Sequence, residues 1–180
     1  MSARQTELLE LLDQNGARLF ALLIRLTLRE DVAEELMQDL FIRLSGAKDQ
    51  GGIDCWYAYA RRTAINLAFD WRRRRATRRS CSLDGLGERA SDDSAPLSRL
   101  IQSEEIERVL AAIGRLRGTS REVFVMRYIQ QDSYEGIAEQ LGKTVHQVRA
   151  LSFRAMSTLR DLLGRNHLPA EGKGVQRVEK

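Results

Sequence analysis

The sequence predicts an all-α protein, with two small helical domains joined by a flexible linker and a helix-turn-helix in the C-terminal one. Three observations lead there. Apolar residues recur at three- and four-residue spacing, and the β-branched alternation of strands is absent. Pro96 and Pro169 are the only prolines. One internal stretch, "SCSLDGLGERASDDSAPLS" at residues 80–98, has the Ser, Asp and Gly composition of a linker. A length of 180 residues suits two small domains or one medium one, and no internal repeat is visible.

In chain order, "TELLELLDQNGARLFALLIRLTL" places Leu8, Leu12, Leu19, Leu22, Leu23 and Leu26 on one side, with a break expected near Gly16. "EDVAEELMQDLFIRL" turns Val32, Leu36, Leu40 and Leu44 inward, leaving Asp31, Glu34, Glu35, Gln38 and Asp39 largely outward. After the glycine-rich "SGAKDQGG", a long helix is predicted from about Asp54 into a run of arginines. Beyond the linker, a second helical region spans about Leu100 to Leu163, and the tail after Gly164 is expected to fray.

The stretch "SYEGIAEQLGKTVHQVRALSFRAMSTLR" carries the sharpest local signal. Ser133 can cap a helix whose inner positions are Ile137, Ala138 and Leu141. Gly142 supplies the backbone freedom to end it. Thr144 can cap the next, with Val145, Val148, Leu151 or Ser152, Ala155 and Leu159 inward. Ala138 is small where two crossing helices press together. His146, Gln147, Arg149, Ala150, Phe153 and Arg154 then face outward. Arg149 and Arg154 suit phosphate or guanine edges, and Gln147 suits adenine. The plainer reading is a helical hairpin with a solvated polar face.

Charge is segregated. Residues 1–60 hold 6 basic and 10 acidic side chains, residues 61–79 hold 8 and 1, residues 80–118 hold 5 and 7, and residues 119–180 hold 10 and 7. The basic band, "RRTAINLAFDWRRRRATRR", contains Arg61, Arg62, Arg72 to Arg75, Arg78 and Arg79, which repel one another unless an anion neutralises them. At helical pitch, Tyr59, Arg62, Asn66, Asp70 and Arg73 share a sector of roughly 80°. That stripe is either an edge that reads nucleic acid or a polar seam in which Asn66 and Asp70 are satisfied internally, Asp70 by Arg73 or Arg74. Trp56 reads as core, whereas Tyr57, on a different face, reads as freer to stack on bases.

Several classes are disfavoured. Cys55 and Cys81 are too isolated for a disulfide framework or zinc site, and His146 and His167 lie far apart. No apolar run reaches membrane-span length, and residues 1–20 lack signal-peptide features. The expectation is a cytosolic protein without cofactor, metal or catalytic constellation. A recombinase-like enzyme has no Ser or Tyr with a basic partner at telling spacing. A stand-alone helix-turn-helix regulator would explain residues 119–163 but neither the acidic helix nor the arginine band.

Taken in order, the motifs resemble the small, two-domain extracytoplasmic-function (ECF) sigma factors of bacterial RNA polymerase. "REDVAEELMQDLFIRL" is similar to the family's core-polymerase-binding helix, "NLAFDWRRRR" to the end of its promoter-melting helix, and "TSREVFVMRYIQQDSYEGIAEQLGKTVHQVRALSFRAMSTL" to its C-terminal helix-turn-helix. The resemblance covers roughly residues 15–79 and 104–163. Three places depart from the pattern: Tyr59 stands where the family usually has Trp, "RLRGTS" precedes "REVF" in place of a Leu-Pro pair, and Val148 is followed by Arg149, Ala150 and Leu151.

The resemblance implies a region 2-like domain at residues 1–79, an acidic linker at 80–103, a region 4-like domain at 104–165 and a tail at 166–180. Asp31, Glu34, Glu35, Gln38, Asp39 and Phe41 would bind the clamp helices of the polymerase's largest subunit. The region from the loop at Ser45–Ile53 through Arg75 would melt and read the minus-ten element, using Tyr57, Tyr59, Arg62, Asn66, Asp70, Arg72, Arg73, Arg74 and Arg75. Thr144, His146, Gln147, Arg149, Ala150, Phe153 and Arg154 would read the minus-thirty-five element. The implied partners are core RNA polymerase, including the flap of its second-largest subunit, promoter DNA and an anti-sigma factor.

Overall fold

The computed structural model describes residues 3–47, 55–81 and 97–164. Residues 82–96 of the linker expected at 80–103, the tail expected at 166–180 and most of the loop expected to help melt promoter DNA lie outside them, whereas Leu97 onward is already helix α4. All regular structure among the described residues is helical: α1 (Ala3–Thr27), α2 (Glu30–Gly46), α3 (Trp56–Cys81), α4 (Leu97–Arg115), α5 (Gly118–Phe124), α6 (Tyr134–Leu141) and α7 (Val145–Leu163), with a π-helical turn at Val125–Ile129 after α5.

Helix α1 runs unbroken through Gly16, contrary to the expected break. A mid-helix glycine costs about 1 kcal/mol relative to alanine, but Leu8, Leu11, Leu19, Leu22 and Leu26 stay in helical phase on either side of it and are buried. Packing of that stripe outweighs the local penalty. Leu11 takes the inner place read for Leu12, which is only partly buried. The chain then reverses through Leu28 and Arg29. Leu28 adopts a positive φ of 61°, and the Thr27 hydroxyl donates to the Leu23 carbonyl at 2.8 Å. Helix α2 opens with Glu30 and Asp31, whose charge suits its N-terminal dipole, and buries Val32, Leu36, Leu40 and Leu44 as the spacing predicts.

Helices α1–α3 form one lobe and α4–α7 the other, and the two share a core. A continuous apolar cluster joins the α1 and α2 leucines and Ala60, Ala64, Ile65, Leu67 and Phe69 of α3 to Leu110, Ile113, Leu116, Phe124, Met156 and Leu159. Gly114 permits the closest approach. A Cβ there would stand 3.2 Å from Cδ1 of Phe69, tighter than an ordinary carbon contact, so the bare backbone seats α4 on the α3 aromatic. A smaller cluster of Val123, Met126, Ile137, Ala138 and Val148 lies under the helix-turn-helix.

Candidate polymerase and nucleic-acid interfaces

The helix-turn-helix is built by its caps. Ser133 accepts from the Gly136 amide at 3.0 Å. Gly142 sits in the left-handed region at φ 59°. Thr144 and Gln147 form a reciprocal capping box, the Gln147 amide donating to Thr144 Oγ1 at 3.2 Å and Gln147 Oε1 accepting from the Thr144 amide at 3.0 Å. Ile137 and Val148 are fully buried between the two helices, and Ser152 rather than Leu151 takes the inner position. Its hydroxyl lies 3.4 Å from those of both Tyr128 and Tyr134.

Of the residues expected to read a groove, Thr144, His146, Gln147, Arg149, Phe153 and Arg154 are exposed and Ala150 half-buried. Phe153 is 63% exposed, a large apolar side chain held in solvent on the α7 face. The Gln147 carbonyl oxygen is committed to the cap, which leaves its NH2 group to meet a ligand. Arg149 lies over the Tyr134 ring at 5.5 Å from its centroid and 3.8 Å from Glu135.

Helix α2 presents a second surface. Asp31, Glu34, Glu35, Gln38, Asp39 and Phe41 are all exposed. Ile42, which sequence reading passed over, is 66% exposed beside Phe41. It lies off the Val32, Leu36, Leu40, Leu44 stripe, and that was the available signal. The face therefore combines carboxylates with a small apolar end. A hydrogen bond from Arg29 holds the Asp31 carboxyl below the ordinary carboxylate range.

The α3 stripe is the third surface, and the other lobe engages it. Tyr59, Arg62, Arg73 and Arg74 are exposed, whereas Asn66, Asp70, Arg72 and Arg75 are half-buried. Asp70 pairs with Arg73, as one sequence reading anticipated. Asn66 is satisfied from across the lobes, its Oδ1 accepting from Arg121 at 2.7 Å. Arg72 donates to the Leu26 carbonyl at 3.1 Å and pairs with Glu107 of α4. Tyr59 stands edge-on to the half-buried Trp56 at 6.1 Å.

Two expectations are corrected here. Tyr57 is not the freer aromatic: its hydroxyl is buried, and the guanidinium groups of Arg18 and Arg61 lie 5.6 and 5.5 Å from its ring centroid. Arg61, counted in the polyanion-facing band, has a side chain that is 0% exposed. It lies one turn before Ile65 and two before Phe69, on the side of α3 that meets the second lobe. There it bonds to Gln140 and sits 3.9 Å from Glu122. Arg62 approaches the same carboxylate at 4.0 Å.

Burial pulls the Arg61 guanidinium below its ordinary pKa despite Glu122, and burial pushes the Glu122 carboxyl up despite Arg61 and Arg62. Both shifts disfavour the charged forms, so desolvation outweighs an attraction spread over about 4 Å. Further bonds tie α1 to the second lobe: Arg18 to Asp132 at 2.7 Å and Arg25 to the Ile129 carbonyl at 2.8 Å. Among the described residues no group of His, Cys, Asp and Glu is arranged to hold a metal ion, and no helix is long and apolar enough to cross a membrane.

Residues 106–159 match the family model of sigma-70, region 4. The chain is 30% identical over 147 residues to RNA polymerase sigma factor YlaC of Bacillus subtilis, covering 77% of this chain and 81% of that protein. It is 29% identical over 158 residues to ECF RNA polymerase sigma factor SigE of Mycolicibacterium smegmatis, and 26% identical over 132 residues to SigD of Mycobacterium tuberculosis. Those matches cover 87% and 73% of this chain but only 62% and 61% of the relatives. Among solved structures it is similar to CnrH in complex with the cytosolic domain of CnrY, 23% identical over 90% of each chain at a TM-score of 0.48. The sequence motifs and the YlaC match, which spans most of both proteins, lead to one conclusion: the chain belongs to the RNA polymerase sigma factors of the extracytoplasmic-function type.

Proposed function

We propose that three surfaces divide the work of this sigma factor, which directs promoter-specific initiation. The acidic face of α2, with Asp31, Glu34, Glu35, Gln38, Asp39 and Phe41, docks on the clamp helices of core polymerase. Helix α3, with Tyr59, Arg62, Asn66, Asp70 and Arg72 to Arg75, serves the minus-ten element. The exposed face of α7, with Thr144 to Arg154, reads the minus-thirty-five element, and the second lobe meets the polymerase flap. Reading by α3 requires the lobes to part, since Asn66 and Arg72 are held by α5 and α4.

One observation carries this reading above that of a stand-alone regulator: α2 leaves a carboxylate row ending in Phe41 and Ile42 in solvent. A helix-turn-helix that bound DNA alone would have no use for it. The test is joint replacement Glu35→Lys and Asp39→Lys, followed by co-purification with core polymerase and circular dichroism. The expected result is loss of co-purification with an unchanged helical spectrum, because reversed charges at a charge-complementary interface cost several kcal/mol. Undiminished co-purification would remove the docking role from α2. Family membership also leads us to assign an anti-sigma factor as a partner, testable by affinity capture of the intact chain from cells that encode it.

A further inference from the structure

A cavity of about 680 Å³ lies between α3 and α4 where the lobes meet. Its size is within the range of small-molecule sites. Its lining is unusual for a crevice between two packed lobes. Among the described residues, five guanidinium groups, from Arg72, Arg73, Arg75, Arg115 and Arg121, line it against a single carboxylate, Glu107, which pairs with Arg72 and lies 4.0 Å from Arg75. Asp70 reaches Arg73 from outside the lining. The remaining wall is apolar, formed by Phe69, Trp71, Leu110 and Leu116.

The arginines are also fixed in place. Arg75 lies over the Trp71 ring at 5.3 Å from its centroid, and Arg121 over Phe69 at 5.1 Å. The Arg72 side chain is only 9% exposed. Like charges gathered around one hollow call for an anion. The apolar wall calls for a ligand with a body as well as a charge.

We infer that the cavity between α3 and α4 binds a small organic polyanion of the nucleoside polyphosphate class, its phosphates among the guanidinium groups and its base against the apolar wall. Such a ligand fits the volume and offsets the excess positive charge. It touches α3 on one side and α4 and α5 on the other, so it binds the packed arrangement and stabilises it by mass action. Because Arg72, Arg73 and Arg75 are among the α3 residues assigned above to the minus-ten element, ligand and promoter DNA would exclude one another; that consequence, unlike the binding itself, rests on the function proposed above.

The test is isothermal titration calorimetry of the full chain with ATP and GTP, alongside inorganic triphosphate and adenosine. The nucleotides are expected to bind with a dissociation constant of roughly micromolar order, and the two fragments at least about tenfold more weakly. Arg115→Glu removes an exposed lining charge, and Ala111→Trp fills the hollow from its exposed α4 side. Each should weaken nucleotide binding at least about tenfold while circular dichroism stays unchanged. Should Ala111→Trp unfold, Arg115→Glu alone decides. Absence of heat at millimolar nucleotide overturns the assignment, as does unchanged affinity in the folded variants. Inorganic triphosphate binding as tightly as ATP would reduce the cavity to a general anion sink and overturn it too. The linker carries Asp84, Glu88, Asp92 and Asp93. Binding seen only after their conversion to Asn or Gln would name the chain's own segment as occupant, against a small-molecule site.

Discussion

The stripe on α3 and the face of α7 carry similar chemistry in opposite situations. Both offer arginines beside an aromatic, Tyr59 on one and Phe153 on the other. The α7 face is held up from below by its caps and by Ile137 and Val148, and it meets solvent. Helix α3 is held from outside, by Arg121 on Asn66 of the stripe and by Glu107 on Arg72 beside it. One surface is presented by the fold as it stands, and the other is partly spoken for by its own chain. On the roles proposed above, DNA would meet a ready face and a withheld one, and only the withheld one would need a rearrangement.

The largest effect is expected where the covering is strongest. Phe69→Ala empties a buried site between α3, Gly114 and Arg121 and should lower stability by about 3–5 kcal/mol in denaturant unfolding. A loss under about 1 kcal/mol would mean that the lobes barely depend on each other. On the open face, Arg149→Ala with Arg154→Ala should leave stability within about 0.5 kcal/mol. Transcription from promoters with a minus-thirty-five element should meanwhile fall by about one and a half to four orders of magnitude, from about 1–3 kcal/mol for each of the two lost contacts. Equal output from all promoters would take the reading role away from those two residues.

Smaller effects sharpen the contrast. Thr144→Ala opens the capping box and should cost about 1 kcal/mol of stability, with loss of amide protection confined to the start of α7. The last concerns pH. Burial raises the Glu122 pKa above the ordinary 4.5, so the folded chain holds that proton more tightly than the unfolded one. Its contribution to stability is therefore complete below pH 4.5 and fades as pH rises through the raised value. Glu122→Gln should flatten that part of the unfolding midpoint measured against pH. An identical slope in the variant would place the titration elsewhere.

What could be read in the sequence was whatever a few neighbouring residues decide. Ser133, Gly142, Thr144 and the inner apolar positions lie within one or two turns of the backbone they control, and their spacing sufficed. The α2 face was legible for the same reason. The errors arose where distant packing decides. Gly16 was given its local meaning, but the leucines around it keep α1 straight. Arg61 was counted by charge, although its place one turn before Ile65 put it on the buried side, and its partners Glu122 and Gln140 lie 61 and 79 residues away. The π-helical turn at Val125–Ile129 has no local signature, and nothing near Asn66 announced that Arg121, 55 residues on, would reach it.

The Arg61–Glu122 pair has an evolutionary consequence. Burial disfavours both charged forms, so the pair is weaker glue than the apolar contact around it. Buried ion pairs of this kind are commonly less stabilising than greasy residues of equal volume. A lineage that swapped both for methionine and leucine would gain a sturdier molecule and lose a reversible one. On the roles proposed above, weak adhesion at that spot would let the same helix be guarded at one moment and handed over at the next.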